Sequence, residues 1–454
     1  MIRAARLSEI ARIISAELVG DDAVFDDVTT DTRTLQPGQL YIALSGKNFD
    51  GNAFIQEAEE KGACGAVVRK PANVCLPQLV VADTTRALGA LAQWNRQQSR
   101  AVVIAITGSQ GKTTVKEMAG SILQTKHQVL LTKGNLNNEI GAPLTLLQLN
   151  ADHDFAVIEL GASAAGEIAY TVGLTQPQVV LINNAAAAHL EGFGSLAGVV
   201  SAKGEIIDGV AEDGVVVLNA DDENLSIWIK RAGSRKTQTF SVWGAASGAD
   251  CCAEEIQIRD TGSSFQLHTP QGKALINLPL PGRHNIANAL AAATITLVAG
   301  ADLIDVQKGL AAVKPVAGRL RSLAGVNGAR LIDDSYNASP GSFKAAIDVL
   351  AACSGNRVLI AGDMAELGSE SAAAHRQLGE YALSRGIDQL WATGKASELT
   401  AQAFGSNAKH FGDHDALVRH VKSCIDATTT VLVKGSRSSR MDIIVAQLSN
   451  GASA

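Results

Sequence analysis

Charged residues are sparse in this chain, and neither sign is concentrated along it. Aspartate, glutamate, lysine and arginine make up 19% of the 454 residues, and the formal net charge is −6. Acidic and basic side chains are interspersed, so no basic face is available to attract nucleic acid or an anionic membrane surface. We therefore expect no nucleic-acid partner.

Cysteine is also uncommon, and its spacing gives no sign of a disulfide framework. The six cysteines form no CxxC pair. We interpret them as small buried hydrophobic residues of a protein in a reducing compartment. They are Cys64, Cys75, Cys251, Cys252, Cys353 and Cys424.

Long apolar runs are missing as well. The longest weakly polar run, at 288–300, is well short of the ~20 residues that a membrane span needs. Residues 7–18 place Leu7, Ile10 and Leu18 at helical spacing, but Glu9 and Glu17 interrupt any apolar core of an export signal. We expect a cytoplasmic protein without a membrane span.

A chain of 454 residues is too long for one hydrophobic core, and its pattern of apolar and polar residues changes twice along the sequence. We expect three domains, at 1–99, 100–314 and 315–454. The first mixes a helix with short strands at 40–44, 65–68 and 79–83. Polar residues at 95–100 and the stretch at 313–319 are the predicted linkers.

The second and third segments indicate parallel sheets covered on both faces by helices. Apolar strands that support this are at 102–107, 155–160, 179–183, 214–219, 329–334, 357–363, 389–394 and 430–435. Residues 237–280 alternate instead and predict a small antiparallel patch. The fold class is therefore α/β, with a small first domain, a central parallel-sheet domain of P-loop type and a Rossmann-like, doubly wound third domain.

The stretch TGSQGKTT at 107–114 follows an apolar strand and precedes a helical pattern. Gly108 and Gly111 allow backbone N–H groups to turn toward phosphate oxygens. Lys112 can reach the β- and γ-phosphates, and the Thr113 hydroxyl is placed to bind Mg²⁺. Ile106 occupies the first glycine position of the usual phosphate loop. The NKxD signature of GTPases is missing, so a switch protein is disfavoured.

Eight blocks, in order along almost the whole chain, together resemble the Mur ligases. They are TGSQGKTT, NLNNEIGAP at 135–143, IELGAS at 158–163, NNAAAAHLEGFGS at 183–195, SAKGEI at 201–206, PGRHNIANALAAA at 281–293, DDSYNASP at 333–340 and GDMAELG at 362–368. The variant loop with Ile106 is itself typical of that family.

The resemblance implies two Mg²⁺ ions held by Thr113, Glu159, His189 and Lys203. It further implies that the Lys203 amine is carbamylated by CO₂, which needs a neutral amine and hence a lowered pKa. From spacing alone, Glu159 could equally end its strand facing solvent. By the same measure His189 could be a packed or capping side chain, and Lys203 a surface lysine.

The same resemblance places ATP between the second and third domains. The loop residues Ser109, Gln110 and Thr114 join Gly108, Gly111, Lys112 and Thr113 in holding it. Asn285 and Asn288, three apart on one helix face, suit the adenine edge, although Asn285 could simply cap the helix. The resemblance also implies that Arg319 reaches phosphate and that Asp334 reaches ribose, with a surface ion pair as the alternative.

Two further substrate sites follow from the resemblance. Thr30, Asp31, Arg33, Ser45 and Lys47 would hold a uridine nucleotide, although turn chemistry explains much of that composition. Asn337 would bind peptide groups of an incoming dipeptide. Charge complementarity assigns Lys434 and Arg437 to its carboxylate.

The activity implied is ATP-dependent joining of D-alanyl-D-alanine to UDP-N-acetylmuramoyl-tripeptide through an acyl phosphate, by a monomeric enzyme of peptidoglycan precursor synthesis. Rival family activities are addition of a diamino acid and folylpolyglutamate synthesis. DDSYNASP stands where the first would show a DNPR-like block, and the second would lack the uridine-binding segment. A non-catalytic nucleotide-binding module would not need Glu159, His189 and Lys203 together.

Overall fold

The computed structural model describes residues 1–46, 49–186 and 190–450, and each third of the chain contains one large β-sheet. The sheet of the first third has five strands in the order β2-β9-β8-β5-β4. Strand β2 is antiparallel to β9, and the other pairs are parallel. The strands are β1 (Ala5–Arg6), β2 (Glu17–Val19), β3 (Val24–Phe25), β4 (Val28–Thr29), β5 (Leu40–Ile42), β6 (Ser45–Gly46), β7 (Phe49–Asp50), β8 (Gly65–Val68) and β9 (Gln78–Val80).

Three helices accompany this sheet: α1 (Leu7–Ile13), α2 (Ile55–Glu60) and α3 (Thr84–Gln98). The predicted first helix is too long at its C-terminal end. Ser15 adopts a left-handed conformation with φ 54°, which stops α1, and Leu18 lies in strand β2. Periodicity could not separate the two elements because their apolar residues happen to continue one helical spacing.

The polar stretch at 95–100, predicted to be a linker, is mostly the last turn of α3. Asn95 is fully buried there. Its side chain accepts a hydrogen bond from Ile2 N and donates to the carbonyl oxygens of Leu146 and Leu149. The polarity of this stretch therefore satisfies buried backbone groups rather than marking a solvated connection.

The central sheet has nine strands in the order β11-β12-β10-β13-β14-β15-β16-β17-β18. Neighbours are parallel as far as β16, and β16, β17 and β18 are antiparallel. The strands are β10 (Val102–Thr107), β11 (Val129–Leu131), β12 (Phe155–Glu159), β13 (Val179–Ile182), β14 (Val215–Asn219), β15 (Lys236–Ser241), β16 (Cys251–Arg259), β17 (Gly262–Thr269) and β18 (Gly272–Leu278).

The antiparallel patch predicted at 237–280 is therefore only partly correct. Strand β15, its first predicted strand, is parallel to both β14 and β16, and the antiparallel part begins one strand later. The patch extends the central sheet continuously. Its alternating pattern arises because β17 and β18 have only one buried face.

Helices cover the parallel part of the central sheet on both faces. They are α4 (Lys112–Leu123), α5 (Gly141–Leu146), α6 (Glu167–Thr175), α7 (Leu190–Phe193), α8 (Leu196–Asp208), α9 (Leu225–Ala232), α10 (Arg283–Val298) and α11 (Leu303–Ala311). Val103 and Ala105 of β10 pack in one core with α3, α6 and α8, whereas Ile104 and Ile106 pack in the other with α4 and α10. Burial on both faces explains the uninterrupted apolar run of this strand.

The last third contains a six-stranded sheet in the order β19-β20-β24-β21-β22-β23, parallel except for the β19–β20 pair. The strands are β19 (Arg321–Ala324), β20 (Arg330–Asp334), β21 (Asn356–Ala361), β22 (Gln389–Thr393), β23 (Ala408–Phe411) and β24 (Thr429–Lys434). Its helices are α12 (Pro340–Ala351), α13 (Ser371–Ser384), α14 (Ser397–Phe404), α15 (His414–Cys424) and α16 (Met441–Leu448). Within the described ranges, no helix is long and apolar enough to cross a lipid bilayer.

Candidate active site

The loop between β10 and α4 has the backbone conformation that a phosphate-binding loop needs. Gly108 has φ 156° and Gly111 has φ 79°. A Cβ atom at Gly111 would collide with the side chains of Asn183 and Asn288. Helix α4 begins at Lys112, directly after Gly111. Glycine is therefore required at Gly111 both by its left-handed conformation and by the lack of space.

The sequence predicts that the N–H groups of this loop turn toward phosphate oxygens. Two of them are instead bonded within the protein. Ser109 N donates to Asn184 O at 3.0 Å, and Gln110 N donates to Asn184 Oδ1 at 2.9 Å. The Ser109 hydroxyl donates to Ala186 O at 3.0 Å. The segment that follows β13 thus fixes the shape of the loop.

The start of α4 supplies the N–H groups that can meet an anion. The first intrahelical hydrogen bond in this turn is donated by Val115 N to Gly111 O. The N–H groups of Lys112, Thr113 and Thr114 precede it and have no partner within the helix. Such a helix start is a site at which phosphate groups bind.

Glu159 is buried and bonded to this helix start. Its Oε2 accepts a hydrogen bond from Thr113 Oγ1 at 2.9 Å, and its Oε1 accepts one from Asn137 Nδ2 at 2.8 Å. Its own N–H donates to Thr132 Oγ1 at 3.0 Å. The alternative of a solvent-facing carboxylate at this strand end is wrong, since Glu159 is only 2% exposed.

Cationic side chains surround this carboxylate. Lys112 Nζ donates to Gly108 O at 2.8 Å. Burial lowers the pKa of Lys112, and the nearby Arg319 guanidinium lowers it further, whereas Glu159 raises it. The Lys112 ammonium therefore lies within electrostatic reach of both the Glu159 carboxylate and the Arg319 guanidinium.

Lys203 is buried on α8 and is not the surface lysine that its helical position also allowed. Its exposed fraction is 3%. Burial lowers its pKa to about 7, and the Lys112 ammonium contributes to that shift. Its Nζ lies 5.9 Å from the centroid of the Phe193 ring. The predicted ligand His189 lies outside the described residues.

Two hydrogen bonds connect the loop to the last third of the chain. Arg319 Nη2 donates to Thr113 Oγ1 at 3.1 Å, and Gln110 Nε2 donates to Ser339 Oγ at 3.0 Å. The Arg319 guanidinium stacks on the Tyr336 ring at 4.4 Å from its centroid. Arg319 Nε is buried and finds no hydrogen-bond partner in the part of the chain that the structure describes. This donor is available to a ligand.

Asp334 and Lys434, predicted to contact different ligands, contact each other. Lys434 Nζ lies 2.6 Å from Asp334 Oδ2 and also donates to Asn337 O at 2.9 Å. Asp334 Oδ1 accepts from Leu320 N at 3.1 Å. Burial raises the pKa of Asp334, and the Lys434 ammonium opposes that rise. The pair joins the ends of β20 and β24 at the floor of the site.

Asp334→Asn is expected to lower the free energy of unfolding by about 3 kcal/mol, because it leaves the Lys434 ammonium buried without its counter-charge. Urea denaturation followed by circular dichroism measures this. The double variant Asp334→Asn, Lys434→Met removes the stranded charge and should recover part of the loss. Equal stabilities of the two variants would contradict a stabilising role of the pair.

Asn285 and Asn288 lie in the first turns of α10 and face the loop. Asn285 Nδ2 donates to Pro281 O at 2.7 Å, so the side chain does stabilise the helix start. Asn288 Oδ1 accepts from Asn183 Nδ2 at 3.1 Å. Asn183 Oδ1 is buried and without a hydrogen-bond partner among residues 1–46, 49–186 and 190–450. These amides form a polar wall beside Gly111.

The predicted residues of the first third lie apart from this site. Arg33 Nη2 forms an ion pair with Asp31 Oδ2 at 2.6 Å, which lowers the pKa of Asp31 to about 2. Ser45 Oγ donates to Asp50 Oδ1 at 2.8 Å. Thr30 is partly exposed at the end of β4. Lys47 lies outside the described residues.

A cavity of about 1000 Å³ brings most of the other predicted residues together. Asn337 and Arg437 reach it from the last third, and Arg437 also lies 3.8 Å from Asp442. The predicted residues that line it are Ser109, Gln110, Gly111, Lys112, Thr113, Thr114, Glu159, Lys203, Asn285, Asn288, Arg319, Asp334, Asn337, Lys434 and Arg437. The described residues Thr30, Asp31, Arg33 and Ser45 are not among its lining.

Sequence reasoning missed several polar residues of this cavity. Asn137 orients Glu159, and Asn183 and Asn184 hold the loop. His284 also lines the cavity, and burial together with Lys434 lowers its pKa to about 4, so its imidazole is neutral. These side chains belong to the blocks NLNNEIGAP, NNAAAAHLEGFGS and PGRHNIANALAAA, but spacing alone could not show which neighbours they meet.

A glycine-rich loop leading from a parallel strand into a helix, with a buried carboxylate beside it, defines a nucleotide-binding fold of the P-loop type. Three family models match the chain. They are the Mur ligase family, catalytic domain at 25–106, the Mur ligase middle domain at 106–296 and the Mur ligase, glutamate ligase domain at 318–437. The chain belongs to the Mur ligase family.

Curated relatives match over almost the whole length. A UDP-N-acetylmuramoyl-tripeptide–D-alanyl-D-alanine ligase of Escherichia coli (strain K12) is 50% identical, over 97% of this chain and 98% of that protein. The ligase of the same name from Haemophilus influenzae is 43% identical, over 97% of each.

Solved structures agree in fold. MurF from Acinetobacter baumannii superimposes with a TM-score of 0.93 and 35% identity, over 98% of both chains. MurF ligase from Thermotoga maritima in complex with ADP gives 0.83 and 27% identity, over 93% of this chain and 96% of that one. The predicted family and the three-part α/β fold are confirmed.

Proposed function

We propose that this chain catalyses ATP-dependent amide-bond formation between UDP-N-acetylmuramoyl-tripeptide and D-alanyl-D-alanine, giving the UDP-linked pentapeptide, ADP and phosphate. The names of its relatives support the substrates, since those proteins are ligases for this tripeptide and this dipeptide. One observation carries the proposal for this chain. A single cavity joins the loop and Glu159 of the central sheet to Arg319, Asp334 and the β24 end of the last third.

The residues present fit ATP. The helix start at Lys112 offers free N–H groups, and Arg319 Nε is a buried donor without a partner in the described residues. Gly111 lies where any Cβ would collide, so the backbone stays accessible there. Burial lowers the pKa values of Lys112 and Lys203, and a neighbouring cation lowers each further, Arg319 in the first case and Lys112 in the second. A bound polyanion would oppose both shifts. We assign the adenine to Asn285 and Asn288, the phosphates to residues 108–114 and Arg319, and the ribose to Asp334.

The residues present also fit Mg²⁺. Thr113 Oγ1 and the Glu159 carboxylate are oxygen donors 2.9 Å apart, the ligand type that magnesium takes. Magnesium keeps several waters and substrate phosphates as ligands, so it needs few ligands from the protein. We propose that Thr113, Glu159, His189 and carbamylated Lys203 hold two ions, which would screen the charge of phosphate and carboxylate oxygens.

The carbamylation of Lys203 rests on burial and charge. The side chain is 3% exposed, and with a pKa of about 7 roughly half of its amine is neutral at pH 7. Its nitrogen lone pair can then form a bond to the carbon of CO₂ with loss of one proton, which gives an anionic oxygen donor. Carbamylation therefore replaces a cation, which repels metal ions, with an anion that can bind them.

The chain then contributes positioning and fixed charge. Lys112 and Arg319 provide positive charge where the tripeptide carboxylate takes up the γ-phosphoryl group of ATP. The resulting acyl phosphate has phosphate as its leaving group, so the amine of D-alanyl-D-alanine can attack the carbonyl carbon. Gln110 and Ser339 bring the two halves of the cavity together, as closure of the site requires.

We place the uridine nucleotide on the first third, at Thr30, Asp31, Arg33, Ser45 and Lys47, and the dipeptide on the last third. Asn337 and Arg437 are the contacts proposed there. Lys434 holds the Asp334 carboxylate in place through the ion pair between Lys434 Nζ and Asp334 Oδ2 at 2.6 Å. We further propose domains at 1–99, 100–314 and 315–454, a monomeric enzyme and a cytoplasmic reaction. The cytoplasmic location is supported by the six cysteines, all of which are free thiols.

The test is coupled ADP release by purified protein with ATP, Mg²⁺ and UDP-linked tripeptide, comparing acceptors. D-alanyl-D-alanine is expected to exceed single D-alanine in kcat/KM by at least about 100-fold, because a dipeptide site loses buried contacts with the shorter acceptor. Mass spectrometry of the product confirms the new linkage. Faster turnover with free diamino acids, or none with any acceptor, would overturn the proposed function.

A further inference from the structure

We propose that His375 is a positioning residue whose imidazole holds the loop 362–368 as a wall of the dipeptide site. This inference rests on the proposed function, in which the last third of the chain receives the dipeptide. It concerns the GDMAELG block, which the assignment of the nucleotide site leaves without a role.

The loop follows β21 and reaches the cavity. Ala365, Glu366 and Leu367 line the cavity beside the segments that carry Asn337 and Arg437. These residues follow the carboxyl ends of parallel strands, where α/β sheets bind their ligands. The loop is therefore placed to touch a ligand held by the last third.

The loop has a backbone that needs support. Glu366 adopts φ 61°, a left-handed conformation that costs free energy in a residue with a side chain. Such a conformation persists where neighbouring contacts enforce it. Met364 and Leu367 are buried on either side of Glu366.

One end of the loop is anchored through Asp363. Its Oδ1 accepts hydrogen bonds from Ser397 N at 2.7 Å and Ser397 Oγ at 2.5 Å. Its carbonyl oxygen accepts from Ser436 N at 2.8 Å and from Ser439 Oγ at 3.0 Å. These contacts fix the loop to α14 and to the segment after β24.

The other contact is His375, which is fully buried on α13. Met364 N donates to His375 Nε2 at 3.0 Å, so Nε2 carries no proton. The proton is then on Nδ1, which donates to Ser371 O at 2.7 Å. Both ring nitrogens are used, one on the helix and one on the loop. A hydrophobic residue of similar size would fill the space but leave the Met364 N–H buried and unpaired.

Asparagine and glutamine separate these two contacts. A glutamine amide reaches the position of Nε2, so His375→Gln can still accept from Met364 N. An asparagine amide reaches only the position of Nδ1, so His375→Asn keeps the helix contact and loses the loop contact. The two variants are matched in chemistry, and each keeps one of the two contacts: His375→Asn the helix contact and His375→Gln the loop contact.

We expect His375→Asn to raise KM for D-alanyl-D-alanine about tenfold, because a displaced binding wall misplaces the acceptor. KM for ATP and for the UDP-linked tripeptide should stay within about twofold, since their proposed contacts lie elsewhere in the chain. His375→Gln should restore KM for the dipeptide to near the parent value. Parent protein with no ligase activity would refute the proposed function itself, whereas an active parent with unchanged KM in His375→Asn would refute only this inference.

Hydrogen exchange on the parent enzyme tests the same point without any variant. Addition of D-alanyl-D-alanine to protein with ATP analogue and UDP-linked tripeptide should slow amide exchange in the peptide covering 362–368. Unchanged exchange there would overturn the proposal, as would an equal rise of all three KM values in both variants. Slower exchange confined to that peptide and to residues near Asn337 supports it.

Discussion

Lys112→Met is expected to lower kcat for ligation by about 100- to 1000-fold, the cost of removing one fixed charge from a developing oxyanion. Methionine keeps most of the length and apolar volume of lysine and removes only the ammonium. The ammonium is bonded to Gly108 O at 2.8 Å and lies close enough to Glu159 and Arg319 for their charges to shift its pKa. It is therefore held at the phosphate loop before any ligand arrives, so its loss affects the transition state more than the fold.

The measurement is single-turnover formation of ADP with saturating tripeptide and dipeptide. Lys308→Met, on the exposed face of α11, is the matched control and should keep the parent rate. The thermal midpoint of both variants should remain close to that of the parent. An undiminished rate in Lys112→Met would remove the loop lysine from the proposed mechanism.

The phosphate loop could be predicted from the sequence because its requirements are local. A tight turn needs glycine where φ is positive, and a helix start must follow within a few residues, so TGSQGKTT specifies both its shape and its place between β10 and α4. Predicting the central strands succeeded for a similar reason. Burial on both faces leaves an uninterrupted apolar run, as in β10, β12, β13 and β14.

Contacts between distant residues could not be read in this way. Asp334 and Lys434 are 100 residues apart in the chain. The family resemblance assigned Asp334 to ribose, and charge complementarity assigned Lys434 to the dipeptide carboxylate. Only the parallel register of β20 and β24 reveals that they face each other. The same holds for Asn137 and Glu159, whose pairing depends on a turn before α5.

Local polarity was misleading where polar groups serve the interior. The stretch at 95–100 has the composition of a linker, yet Asn95 and Arg96 are buried and bonded to carbonyl oxygens of the central third. Composition reports solvation only on average, and a buried amide with three partners is indistinguishable in sequence from an exposed one. The boundary between the first and second thirds is therefore a packed contact.

Lys203→Ala is expected to lower kcat at least about 100-fold, because it removes a proposed metal ligand that no neighbouring side chain replaces. Added acetate or formate should restore part of the rate, since a small carboxylate can enter the space left by the side chain and supply the missing oxygen. Rescue should depend on acid size and concentration. An alanine variant with full activity would exclude the carbamate.

The parent enzyme should show the modification directly. Because burial and Lys112 lower the pKa of Lys203 to about 7, its amine is mainly neutral above that pH and protonated below it. Only the neutral amine reacts with CO₂, so mass spectra of intact protein should show one added CO₂ at mildly alkaline pH and its loss on acidification. Lys203→Arg is the matched control, since a guanidinium stays charged across this range and forms no carbamate. It should show no added mass, and acetate should not rescue it, because its side chain still fills the space that acetate enters in the alanine variant.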